Sequence, residues 1–242
     1  MRLILGIGLM VAWASPSAAA DWEKLYAEEG ITVWQRSVPE SSFVAFRGKG
    51  VVDASMKRVL AMLADQDRKT EWLHNCVENR LVRAQPGHRM TIYNRTGSKF
   101  PLVADRDVVM KSEVSWSVKD RRVVVVARST TDPRAPLVDG VVRMNSLDVR
   151  WELVGLDKDR TEVVYQVQAD PGGLLPAWVV NMVSKKMPFK TLVNLREQVK
   201  KSGYDNAMAV VEMSFDWSSV GLSAGEASAP ASSSSDKSKG KP

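Results

Sequence analysis

Residues 174–201 read LLPAWVVNMVSKKMPFKTLVNLREQVKK, and the spacing of their apolar side chains decides the fold. Leu175, Val179, Met182, Phe189, Leu192 and Val199 follow one another at steps of 4, 3, 7, 3 and 7, which keeps them on one side of a helix. Pro188 lies inside this run. It lacks an N–H and its ring crowds the preceding turn, so a kink is expected there. A helix with a single apolar stripe needs a surface to bury it against, and the preceding chain supplies one. Runs rich in β-formers at 77–84, 90–93, 108–116, 121–128, 141–154 and 161–169 alternate with turn signals, which predicts successive antiparallel strands. Upstream, residues 21–29 read as a short helix stopped by Gly30. Ile31, Val33 and residues 43–52 read as a hairpin turning at Pro39, Ser41 and Ser42. Asp53 then serves as N-cap for a helix whose Met56, Val59, Leu60 and Leu63 share a face. The expected architecture is α+β, with a long kinked C-terminal helix laid across one curved antiparallel sheet.

The two ends of the 242-residue chain have different compositions from its middle. Arg2, an apolar run over 3–13, then Ser15, Pro16, Ser17 and three alanines match the regions of a signal peptide, with cleavage expected after Ala20. The apolar run is shorter than the ~20 residues that span a bilayer, and its small-residue end has no cysteine to carry a lipid anchor. An exported protein, free in a periplasm or outside the cell, is therefore expected. Residues 221–242 are nearly all Ser, Ala, Gly, Lys and Pro, too poor in apolar surface to offset the entropy of ordering, so a disordered tail is expected. Between the ends lies one domain over 21–205, followed by an extension over 206–220.

Cys76 is the only cysteine, so no disulfide can form within the chain and stability must come from a core. The formal charge of +6 becomes 6 − 1 = +5 once Arg2 is removed with the signal. That balance suits transient contact with an anionic membrane surface. Lys and Arg are interleaved with Asp and Glu, and no helix-turn-helix, RNA-binding aromatic motif or zinc-finger spacing occurs, which argues against a nucleic-acid partner. A monomer is expected.

Several local motifs, in order, resemble the StAR-related lipid-transfer (START) domain of the helix-grip superfamily. They are Gly-Ile-x-Val at Gly30, Phe46-Arg47-Gly48, the 65–72 segment with Arg68 and Trp72, and Phe100-Pro101 followed by Arg106-Asp107. Val142-Arg143, Trp151 and Asp-Pro-Gly-Gly-Leu-Leu-Pro-Ala-Trp at 170–178 complete the set. The resemblance runs from Trp22 to Tyr204. It implies a curved sheet gripping the C-terminal helix around a lipid-sized apolar tunnel, with no cofactor. It also implies a gate at the 129–140 loop, with Pro133 and Leu137, and at Leu174 and Leu175 before Trp178. Cholesterol-carrying members keep a buried acid and arginine flanking the Arg-Asp motif. Counting from Arg106 puts Tyr93 and Ser112 there, which points to a phospholipid, fatty acid or other polar-headed lipid instead.

Arg106 and Arg143 are candidates for a ligand head group, against the alternative of internal ion pairs that fix the strands. Tyr93, Trp151, Tyr165, Trp178, Met182 and Phe189 are candidate tunnel-lining residues, against ordinary core packing. His74 and Cys76 suggest a nucleophile and its base, but nothing in the spacing orients a third group, and with His88 they match no standard zinc pattern, so no metal site is expected. The Gly-x-Ser-x-Gly elbow, the phosphate-binding loop and His-Glu-x-x-His are all missing. Asn94-Arg95-Thr96 is a glycosylation sequon only in a eukaryotic secretory host. These signs favour a non-catalytic lipid carrier. The alternatives are a helix-grip cyclase or hydratase using Tyr93, Tyr165, Arg106 and His88, and a lipid sensor. Polar side chains converging inside the cavity would favour catalysis; an apolar tunnel with one polar end would favour carriage.

Overall fold

The computed structural model describes residues 21–98, 101–117, 119–205, 207, 208 and 211; the expected signal (1–20) and tail (221–242) lie outside them. The chain begins with strands β1 (Glu23–Glu28), β2 (Ile31–Arg36) and β3 (Ala45–Val52), then helix α1 (Met56–Ala64) and a 3-10 turn (Lys69–Glu71). Seven further strands follow: β4 (Cys76–Gln85), β5 (Arg89–Thr96), β6 (Arg106–Ser117), β7 (Arg122–Thr130), β8 (Val142–Arg143), β9 (Ser146–Gly155) and β10 (Thr161–Asp170). Helices α2 (Ala177–Ser184) and α3 (Met187–Gln198) close the described fold. The strands form one sheet in the order β1-β2-β3-β10-β9-β7-β6-β5-β4, with β8 beside β6.

Four local expectations are corrected. Residues 21–29 form an edge strand, not a helix: Glu29 and Gly30 both have positive φ (49° and 68°), as a tight two-residue hairpin turn requires, and Glu28 pairs with Ile31. The glycine that read as a helix stop is a turn residue. Helix α1 is capped by Ser55, whose hydroxyl accepts from the Arg58 N–H at 3.3 Å, and not by Asp53. The 141–154 run is broken at Met144 and Asn145. Its first piece, β8, pairs with β6 in parallel, with Arg106 opposite Val142. Pro188 sits in the first turn of α3, where a missing N–H costs nothing, so the C-terminal helix bends at Lys185 and Lys186 before the proline.

The main core forms where α1 and α3 meet the sheet. Phe189, Leu192 and Leu195 of α3 join Ile31, Val33 and Phe46, while Met56, Val59, Leu60 and Leu63 of α1 join Trp151 and Leu153. Gly48 lets α3 come this close. A Cβ there would stand 2.8 Å from Pro188 Cβ and 3.1 Å from Leu192 Cδ1. Polar clamps fix the helix ends: Arg196 Nε donates to the Val51 carbonyl at 2.9 Å, and Arg58 Nε donates to the Val199 carbonyl at 2.6 Å. Tyr204 and Val211, beyond α3, are buried in the same core.

Gly48→Val should therefore push α3 off β3 and destabilise the protein by about 1–3 kcal/mol, the usual cost of overpacking. Urea denaturation monitored by tryptophan fluorescence would measure it. An unchanged midpoint would mean that α3 is not seated on β3.

Candidate functional site: a cavity under the sheet

Side chains alternate across a strand, so every second residue of the inner face meets the same space. The wall of that space is Met90, Ile92, Asn94 and Thr96 of β5; Met110, Ser112 and Val114 of β6; and Val125 and Ala127 of β7. Leu147, Val149 and Trp151 of β9 and Tyr165, Val167 and Ala169 of β10 continue it. Leu60, Leu63 and Ala64 of α1, then Gln66, Lys69, Trp72, Leu73 and His74, form the opposite wall, with Met187 at the start of α3. The cavity volume is about 170 Å³. A single water needs only ~15 Å³ of such space, so this gap is a chamber and not a packing defect. Its lining is predominantly aliphatic, methionine and aromatic, and Trp151 stacks on Tyr165 at 4.2 Å. Burial pushes the Tyr165 hydroxyl well above the ordinary tyrosine range, so it stays protonated.

Polar groups gather where the end of α1 meets β4 and β5. Asn79 Nδ2 donates to the Gln66 carbonyl (2.8 Å) and to its side-chain oxygen (3.1 Å), and Asn94 Nδ2 donates to Asn79 Oδ1 (3.1 Å) and Cys76 Sγ (3.1 Å). Lys69 is 8% exposed. Its Nζ donates to the carbonyls of Leu63 (2.6 Å) and Met62 (3.2 Å) and lies 4.9 Å from the Trp72 ring centre. Burial lowers its pKa to about 7, opposed only in part by Asp65 and Cys76. Cys76 is buried and its thiol is pushed up by desolvation, the state of an inert thiol and not of a nucleophile.

The structure distributes the sequence candidates over several places. Trp151 and Tyr165 line the cavity. Phe189 is in the core, edge-on to Tyr26 at 6.1 Å. Trp178 and Met182 are exposed on α2, which buries none of its side chains. Tyr93 alternates with Ile92 and Asn94 and so lies on the outer face, clustered with Val109 and Ala135. Its hydroxyl is pushed up to about 12 by burial and by Asp107. Counting from the Arg-Asp motif thus missed the inner face by one residue at β5, where Asn94 lines the cavity, and met it at Ser112.

Arg143 makes a two-pronged pair with the buried Asp107, at 2.7 and 3.1 Å, and also donates to the carbonyl of Pro136 at 3.1 Å. It is committed to holding the 131–141 loop. Arg106 donates to the Ala104 carbonyl and approaches Gly173, outside the cavity lining. Of the gate candidates, Leu137 and Leu174 are exposed, while the loop beside Pro133 is anchored through buried Asp132 and Ala135. Among the proposed enzymatic residues only Tyr165 lines the chamber; His88 lies in the β4–β5 turn, edge-on to Trp116. Lys69, Gln66 and Asn79 gave no signal in the sequence, where polar residues in a short linker (Gln66, Lys69) or within a strand (Asn79) read as solvated.

An antiparallel sheet closed by a bent C-terminal helix over an apolar chamber defines a helix-grip ligand-binding domain. The START domain family model matches residues 15–204, and the chain belongs to that family. It is 31% identical over 206 residues to an uncharacterized protein of Pseudomonas aeruginosa, covering 83% of this chain and all of the relative. It is 25% identical over 191 residues to the phosphatidylcholine transfer protein of Bos taurus, covering 76% and 88%. The crystal structure of a STAR-related lipid transfer protein from Xanthomonas axonopodis superposes with a TM-score of 0.68 at 29% identity, covering 74% of this chain and 99% of that one.

Burying Lys69 has a pH signature. Its pKa falls from the ordinary 10.5 to about 7 on folding, so between these values the unfolded chain binds more protons than the folded one. Stability of the ligand-free protein should therefore rise with pH from 7 to 9.5, and Lys69→Met should flatten that rise. Urea midpoints for both proteins at the two pH values would check it.

Proposed function

We propose that this domain shelters one lipid in its cavity and carries or presents it within the cell envelope, having reached that compartment through the signal at residues 1–20. The observation that carries the reading is the chamber itself: predominantly apolar, with Gln66, Lys69, Asn79 and Asn94 gathered at one end and Ser112 adding a polar side chain to the sheet wall beside Met90. Burying an acyl chain gains about 0.8 kcal/mol per methylene, so such a wall retains a chain without specific contacts. Lipid-transfer relatives support the reading, and the segregation of the polar groups favours carriage over catalysis.

Exchange needs an opening, and α2 is the element least committed to the core. Asn181 pins it, donating to the Ser42 carbonyl at 3.1 Å and accepting from the Val44 N–H at 3.2 Å. In this reading α2 swings with Leu174 and Leu175, the 131–141 loop with Pro133 and Leu137 forms the facing part of the gate, and Trp178, Met182 and Val183 meet the membrane.

Gentle purification of the full chain followed by lipid extraction and mass spectrometry should recover bound lipid in near-stoichiometric amount. A protein that is empty and indifferent to added lipid would overturn the proposal. Loss of the two Asn181 hydrogen bonds, each worth about 0.5–1.5 kcal/mol, should speed lipid exchange several-fold in Asn181→Ala. Transfer of a fluorescent lipid between vesicles would read the rate, and an unchanged rate would remove α2 from the gate.

A further inference from the structure

The polar end of the chamber contains a charge that no carboxylate touches among the described residues. Lys69 is buried, lines the cavity, and is held by two backbone carbonyls and no carboxylate among the described residues. Two carbonyls satisfy the two N–H bonds of a neutral amine; an ammonium has a third, which they leave without an acceptor. The Trp72 indole N–H is a second buried donor with no acceptor among the described residues, in a residue that is 2% exposed, lines the same cavity and sits beneath the Lys69 ammonium. Buried donors in native proteins nearly always have partners. Among the described residues no Asp or Glu lines the chamber, so a cationic head group would meet no carboxylate in that wall and would face Lys69.

We propose that this end of the cavity is a site for the acidic head group of an amphiphile, a carboxylate or phosphate monoester, with Lys69 Nζ as its ion-pair donor and the Trp72 indole N–H beside it. The inference rests on reading the chamber as a lipid site and specifies which lipids it takes. The anion supplies the acceptor that the third N–H lacks, so binding draws a proton from solvent onto Nζ. The titratable groups acting on Lys69 are Asp65 at the end of α1 and the raised thiol of Cys76 on β4; His74 lines the same cavity. Asp65 favours the ammonium but does not offset its burial, which is why the ligand-free lysine sits near 7 and gains from an anion. This selectivity differs from what the bovine relative's name says of that protein, whose lipid carries a zwitterionic head.

The full chain, stripped of lipid, would be titrated by isothermal calorimetry with four probes sharing a twelve-carbon chain: laurate, dodecyl phosphate, dodecanol and dodecylphosphocholine. Laurate, dodecyl phosphate or both should bind about tenfold to a hundredfold more tightly than dodecanol and dodecylphosphocholine, the range for a charge-assisted hydrogen bond, and the tighter of the two acids names the head group. Laurate affinity should fall about tenfold or more from pH 6 to pH 9 as the ammonium form is depleted. At pH 8, titration in buffers of different ionisation heat should show proton uptake, and Lys69→Met should lose both uptake and preference while still binding dodecanol.

If none of the four binds, the lipid reading itself fails. If dodecanol binds as tightly as both acids, or laurate affinity is flat with pH, the chamber holds lipid but the head-group site does not exist. Should Lys69→Met fail to fold, the pH series and proton uptake of the unmodified protein decide the question alone.

Discussion

A sheet nine strands wide, with neighbours ~4.8 Å apart, spans about 38 Å, whereas a helix of 12 residues is only ~18 Å long. One face of that sheet must nevertheless be kept from water, and α3 cannot cover it alone. It settles over β2, β3 and β10, where Gly48 lets it sink closest, and leaves β5, β6, β7 and β9 to α1 and the turn that follows. These shorter pieces close the perimeter without filling the interior. The cavity follows from this mismatch between a wide sheet and its limited helical cover, and the apolar residues that would elsewhere be core become its lining.

The same constraint explains how much was legible in the sequence. Period-two alternation reveals which residues share a strand face, and Trp151 and Tyr165, paired across β9 and β10, share the one that lines the cavity. It does not tell which face is inner, and Tyr93, one step from Asn94, fell on the wrong side. The helical stripe from Leu175 to Val199 was also real as a period. It divides, however, where the helix bends: Met182 on α2 is exposed, whereas Phe189 and Leu192 on α3 are buried. A hydrophobic period cannot show where its partner surface ends. The edge strand β1 was missed because two residues at positive φ, one of them Glu29, make a turn that composition alone presents as a helix stop.

Two cations, Lys69 buried and Arg143 half-buried, show how different partners assign different work. Arg143 spends its guanidinium on Asp107 and on the 131–141 loop, so its charge is neutralised within the fold and its role is to hold that loop against the outer face. Lys69 has only carbonyls. A buried charge held mainly by dipoles pays a desolvation cost that shows in its lowered pKa, and an anion from outside the chain would relieve it.

Strand register brings the gate and the polar end together. Cys76 pairs with Thr96, Thr96 with Arg106, Arg106 with Val142, and Ser146 with Asp170, so these positions share one edge of the sheet. The chain leaves that edge through Gly172 and Gly173, both at positive φ, on its way to α2. Asn94 and Cys76, which anchor the polar network, stand on this same edge, whereas Met90 and Val114 line the cavity further along the strands. In the proposed reading, displacing α2 opens the chamber at this end, where the head group would sit, with the acyl chain extending away from the opening. A carrier arranged this way lets the charged end regain water as the gate moves and keeps the apolar chain covered until the membrane replaces the sheet.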